Sequence, residues 1–271
     1  MNLLVVVGII AGACGIACLL LIALHRWGPR DVLVSDSARG AAVYTVVGTS
    51  FAVLMAFVVL IAFQSFNDAK NGAQQESDAV LQLFRAADYF PQDERVEVQK
   101  DLICYGRAVI AQDWPDMRYD RRSPVVDGWA YELQRHYRAL QVRTSQQQDA
   151  FADLLDLSQD RADARRLRET QAAATVTAPV WLILGLGALI NIGLALLFID
   201  RRGESLGVHA IMVASLTAVV VGTLLLIYFL DHPYADAPGG IRPSEMQSTV
   251  AIMQVERPEI AVRCNAEGDP I

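Results

Sequence analysis

Four long stretches of this 271-residue chain lack Asp, Glu, Lys and Arg, and the chain as a whole is poor in cysteine and histidine, with four of each. No HExxH, CxxC, GxSxG or GxxxxGK(S/T) string occurs, and between the second and third stretches the one histidine is His136. Those strings carry zinc, redox, nucleophile and phosphate chemistry, so neither enzyme activity nor a cofactor or metal site is expected. A basic surplus is missing too. Residues 67–177 hold 15 Lys/Arg against 19 Asp/Glu, and the tail from 231 holds 3 against 7, which argues against nucleic acid as a partner.

The charge-free stretches are 3–24, 41–63, 178–199 and 208–230. About 20 residues at ~1.5 Å each cross a ~30 Å hydrocarbon core as a helix, so each is long enough to span a bilayer. The expected fold is all-α: four transmembrane helices in two hairpins, with a helical-bundle domain inserted between helices 2 and 3. The corresponding domains are 1–64 (hairpin 1), 65–177 (water-exposed), 178–230 (hairpin 2) and 231–271 (tail). The first apolar run is read as an anchor rather than a signal. It has no Lys or Arg before Arg26, and Ala11 and Gly15 stand three residues before Cys14 and Cys18, where a lipoprotein site usually has Leu.

Short loops rich in Lys and Arg tend to stay cytoplasmic. Arg26, Arg30 and Arg39 in the first hairpin loop, with Arg201 and Arg202 in the second, place both loops inside a bacterial plasma membrane. The inserted domain and both termini then face outward. Lys70, Arg161, Arg165, Arg166 and Arg168 vote the other way. Cys104 and Cys264 lie outside the spans on one side of the membrane, and a disulfide between them is open in an oxidising compartment.

Within 66–177 the periodicity is helical. Val126, Trp129, Ala130, Leu133, Tyr137 and Leu140 follow three-four spacing, with Ser123 as cap and Pro124 in the first turn. Similar stripes run through Val80, Leu83, Phe84 and Ala87, through Leu102, Ile103, Gly106, Val109 and Ile110, and through Phe151, Leu154, Leu155 and Leu157. Pro91 and Pro115 divide the first three helices. With no proline between Phe51 and Ala87, the second span is expected to continue as one helix of about 35 to 45 residues. The tail is rich in Pro and Gly at 235–243, and weakly apolar at 246–255; helix, strand and mobile chain are all open there.

Small residues let membrane helices approach closely. Gly8 and Gly12 in the first span, with Ala210, Ala214, Ala218 and Gly222 in the fourth, are the expected packing seams, and Asn191 an expected interhelical hydrogen bond. The second span carries the candidate pore lining: Thr45, Thr49, Ala52 and Ala56, narrowing at Phe63 and Phe66, where an aromatic constriction can gate by dewetting; the reading that stands equally beside it has the threonines bonded back to their own helix and the aromatics packed against neighbours. Arg165, Arg166 and Arg168 form a candidate electropositive vestibule for anions. The competing reading pairs them with Asp160, Asp163 and Glu169 on the same helix.

Several strings together resemble the bestrophin-like family of bacterial membrane proteins, a domain-of-unknown-function group distantly similar to bestrophin anion channels. They are Gly48-Thr49-Ser50-Phe51-Ala52-Val53-Leu54-Met55-Ala56-Phe57, Phe63-Gln64-Ser65-Phe66-Asn67-Asp68-Ala69, Asp113-Trp114-Pro115-Asp116-Met117, Asp163-Ala164-Arg165-Arg166-Leu167-Arg168 and Asp231-His232-Pro233-Tyr234. The resemblance covers about 41–246. It implies a homo-oligomer, a pentamer by analogy, with a pore lined by the second span and a cytoplasmic helical domain, the last at odds with the arginine count. The aromatic-Arg-Trp string and the acidic calcium-binding cluster of bestrophin channels are absent from this sequence. Two functions are therefore carried forward: a bestrophin-like ion channel in the lipid bilayer, and a non-conducting membrane protein whose helical domain binds or senses an envelope partner.

Overall fold

A computed structural model describes residues 2–27, 37–119, 121–197 and 206–271. Arg30, Arg201 and Arg202, the Arg39 side chain and the last two residues of the third expected span lie outside the described residues.

Among the described residues the fold is all-helical, its helices joined by turns and followed by a largely irregular tail after Glu256, and four helices are long and apolar enough to cross a membrane. In chain order the helices are α1 (Leu3–Trp27), α2 (Ser37–Ala86), α3 (Gln92–Ala108), α4 (Trp114–Met117), α5 (Pro124–Ala139), α6 (Ser145–Thr170), α7 (Ala178–Leu197), α8 (Leu206–Leu230) and α9 (Ser244–Glu256). A 3-10 turn, Ala87–Tyr89, ends α2, and a π turn, Val109–Asp113, joins α3 to α4. No strand occurs among the described residues, only an isolated bridge between Cys264 and Pro270. α2 runs unbroken for 50 residues, longer than expected, because nothing from Ser37 onward interrupts its backbone ladder.

The chain divides into two compact units. The first comprises Met1–Ser65, Ala174–Asp231 and Asp236–Pro238. Here α1 lies antiparallel to α8: the Cys14 thiol reaches the Ala214 carbonyl at 3.3 Å and the Cys18 thiol the Ala210 carbonyl at 3.9 Å. Ala17 and Leu21 pack with Leu196 and Val213 beside this contact. The α1 side of the seam is thus made by Cys14, Ala17, Cys18 and Leu21. A methyl group added at Gly8 or Gly12 would meet nothing within 4 Å, whereas one at Gly222 would meet Ile10 at 3.8 Å. On α7, Gly187 lies under the Phe51 ring, 2.5 Å from where a Cβ would stand. Asp231 closes the entry to α7 by accepting hydrogen bonds from the Thr175 and Val176 backbone N–H groups at 2.7 and 2.8 Å.

The second unit comprises Phe66–Ala173, His232–Ala235 and Gly239–Ile271. Its core takes Val80, Leu83 and Phe84 from α2, Leu102, Ile103 and Tyr105 from α3, Val126, Trp129, Leu133 and Tyr137 from α5, and Leu154 from α6. All but Tyr105 belong to the expected stripes, while Leu155 of the α6 stripe is left exposed. Local signals behave less uniformly. Thr144 caps α6 by accepting from the Gln147 N–H at 3.1 Å, but Ser123 makes no side-chain cap; its backbone N–H donates to the buried Asp113 carboxylate at 3.0 Å instead. Pro115 opens α4 rather than ending a helix, as the missing N–H of a first-turn proline allows.

The tail forms α9, which lays Met246, Val250 and Met253 into the core. Gly106 makes this possible: a Cβ there would stand 2.6 Å from a Val250 methyl. Beyond α9 a disulfide joins Cys104 to Cys264, and Gly268, at φ 83°, presses on Ala108 with its backbone. Trp129 Nε1 donates to the Gly268 carbonyl at 2.7 Å, and Arg107 donates to the Cys264 and Asn265 carbonyls.

Candidate functional site

The first unit carries a groove of about 870 Å³ along one face of α2, closed on its other side by α8 and by Asn191 of α7. Thr45, Thr49, Ala52, Ala56 and Phe63 all line it, brought to one side by their three-four spacing. Phe66 does not; it belongs to the second unit. Facing them are Leu216, Val219, Val220, Thr223 and Leu226 of α8. Among the described residues none that lines the groove is charged. Two of its hydroxyls turn back to their own helices, Thr45 donating to Ala41 and Thr223 to Val219, each at 2.8 Å, as a backbone in lipid favours. Asn191 is buried and donates to Gly187 on its own helix at 2.8 Å, with its carbonyl oxygen 3.4 Å from the position a Gly48 Cβ would take. The bond expected between helices is therefore made within one, and the contact across helices is one of packing.

The arginine cluster is divided. Arg168 is fully buried; its Nε and Nη2 grip the Glu76 carboxylate at 2.5 and 3.2 Å, and Nη2 also reaches Asp113 at 2.7 Å. Its guanidinium lies 5.2 Å over the Trp114 ring. Arg165 is 8% exposed at its side chain and pairs with Glu169 at 2.7 Å and Asp127 at 2.9 Å. Only Arg166 is exposed, loosely paired with Asp163 at 3.7 Å. The same-helix pairs Arg165–Glu169 and Arg166–Asp163 form, while Arg168 finds its acids on α2 and in the π turn.

Glu76, Asp113, Tyr105 and Arg161 complete this buried network and were missed from sequence. Tyr105 donates to Glu76 at 2.5 Å, and the buried Arg161 lies 4.7 Å over the Tyr105 ring. Burial pushes the Tyr105 hydroxyl well above its ordinary pKa, with the Glu76 charge adding to the rise. Burial also raises the Glu169 carboxyl, against the pull of Arg165. Close packing of α6 on α2 makes the network possible: at Gly72 a Cβ would stand 2.8 Å from the Arg168 backbone nitrogen. A signal did exist. Glu76 stands in the three-four stripe of Ala69, Ala73, Val80 and Leu83, and Arg161, Arg165 and Arg168 continue the buried face of Leu154. Charged residues on an apolar stripe are buried partners in waiting.

A family model described as the bestrophin-like domain matches residues 11–239. Among solved structures, a variant of a bacterial bestrophin homologue from Klebsiella pneumoniae superposes with a TM-score of 0.73 at 12% identity, covering 94% of this chain and 98% of that one. A second variant of it gives 0.71 at 12%, covering 92% and 99%. The homologue solved by zinc phasing gives 0.68 at 13%, covering 91% and 97%. At such identities these likenesses concern the fold. No match is found among curated proteins. With the family model spanning most of its length and the same helical fold in the Klebsiella homologue, this chain belongs to the bestrophin-like family.

Proposed function

We propose that this protein is a multi-pass ion channel of the bacterial plasma membrane, a homo-oligomer, five copies by analogy, in which α2 lines the pore. The observation that carries the reading is the α2 face itself. Thr45, Thr49, Ala52, Ala56 and Phe63 share one uncharged groove on a membrane-length helix, and Thr45, Thr49 and Phe63 are left exposed by the single chain. A file of small and hydroxyl-bearing side chains ending in an aromatic ring is a lining of the kind in which wetting decides conduction. Phe66, one turn further on, is proposed as the continuation of that narrowing. Arg166, whose charge is not spent on a buried acid, is the remaining member of the proposed anion vestibule.

The proposed topology has two transmembrane hairpins, 1–64 and 178–230, with the water-exposed helical domain 65–177 between them and the tail 231–271 on the same side as that domain. Cys104 and Cys264 are paired, and disulfides persist in oxidising compartments. That supports an extracytoplasmic domain, in agreement with Arg26, Arg30, Arg39, Arg201 and Arg202 on the cytoplasmic loops.

Purified protein in planar bilayers tests the reading. Unitary currents are expected, and Phe63→Ala is expected to raise conductance or open probability by removing the narrow ring. No current from either protein would contradict the proposal and favour the non-conducting alternative, in which the helical domain serves an envelope partner.

A further inference from the structure

A second cavity, of about 490 Å³, lies wholly in the second unit between α3, α5 and the stapled tail, within the size range of small-molecule sites. Its wall includes Asp101, Gly128, Trp129, Tyr131, Glu132 and Arg263. Asp101 is 1% exposed. One of its carboxylate oxygens meets His136 Nδ1 at 2.5 Å, while the other has no hydrogen-bond partner. An unmatched buried carboxylate oxygen is costly and calls for a donor. The neighbouring charges do not supply one: Arg263 is paired with Glu97, and Arg135 with Glu132. Besides Asp101 and the paired Glu132 and Arg263 the wall is apolar and aromatic, so the chemistry that fits is a cationic donor attached to an apolar body, since aromatic faces attract cations. Two carboxylates make a poor cage for a metal ion, and no metal-binding group occurs among the described residues.

We propose that this cavity binds a small organic ammonium ion, with Asp101 as its counter-charge and Trp129 and Tyr131 as its aromatic wall. None of its residues belongs to the α2 groove. Burial pushes the Asp101 carboxyl above its usual range against the opposing pull of His136, and a bound ammonium offsets that cost.

Gly128 provides a clean test. A Cβ there meets nothing within 4 Å, and leucine favours a helix over glycine, so Gly128→Leu fills the cavity without disturbing the fold. Calorimetric titration of the full chain in detergent with benzylammonium near neutral pH is expected to show saturable binding. Gly128→Leu should abolish it, Asp101→Asn should weaken it about tenfold or more, and benzyl alcohol should not bind. Absence of saturable heat with the wild type would mean that water alone satisfies Asp101, and would overturn the proposal. So would unchanged binding by Gly128→Leu, or equal binding of the alcohol. Should Asp101→Asn fail to fold, the Gly128→Leu result decides by itself.

Discussion

The membrane-length helices and the bundle differ in how they hide polar groups. Within the spans of the first unit, threonine hydroxyls return to their own helices: Thr217, 2% exposed, donates to Val213 four residues back at 2.8 Å; at the edge of that unit Ser65 instead meets Thr175 at 2.7 Å. In the second, polar groups reach across the fold: Ser77 meets Thr249 at 2.8 Å, and Arg168 holds acids 92 and 55 residues away in sequence. The difference is the one expected if lipid surrounds the first unit, as proposed, and water the second. A helix facing lipid must satisfy its groups locally, since no water waits at its surface. A water-exposed bundle has a surface on which to leave charges, so those it buries must be held by specific partners.

The largest effect is expected from Arg168→Met, which leaves Glu76 and Asp113 as uncompensated buried charges. About 3–5 kcal/mol of stability should be lost, seen as a fall in the melting temperature of the detergent-solubilised protein, while Arg166→Met on the exposed side changes it by no more than ~0.5 kcal/mol. Equal effects would erase the distinction between the two arginines.

Next comes the staple. Replacing Cys104 and Cys264 together by Ser should cost about 2–5 kcal/mol, since a native cross-link constrains the unfolded chain. Detection of free thiols at both positions in the native protein would remove the disulfide and, with it, the support for an extracytoplasmic domain.

A third effect depends on pH. Burial raises the pKa of Tyr105, Tyr137 and Tyr234 above the ordinary 10.0. The folded value exceeds the unfolded one, so their contribution to stability is complete below pH 10.0 and is lost as pH rises beyond it. In an alkaline titration followed by tyrosinate absorbance and helix content, these three should ionise only together with unfolding.

The smallest change is expected in the first unit. Thr217→Val removes a hydroxyl bonded to its own helix and should shift stability by less than about 1 kcal/mol. A larger loss would show that lipid-facing helices also depend on distant partners.

The same contrast explains what could be read from sequence. Lipid writes its demand into contiguous residues, so the four spans and the α2 face from Thr45 to Phe63 were visible as runs and spacings. The core stripes at Leu83, Leu102 and Leu133 were visible for the same local reason. The pairing of Arg168 with Glu76 and Asp113 was not, because it joins three segments whose approach depends on Gly72 and on the π turn at Val109–Asp113. Nor was α9, whose apolar residues are too few to declare a helix until Gly106 offers a place to dock.

The most direct measurement concerns the α2 face. Thr49→Cys and Ile61→Cys channels, with the wild type as control for Cys14 and Cys18, are recorded in planar bilayers before and after a charged thiol reagent. Thr49 lines the groove, and Ile61, though exposed, does not. Current through Thr49→Cys should fall on modification while that through Ile61→Cys persists. Loss of current from Ile61→Cys alone, or from neither, would contradict a pore lined by this face of α2.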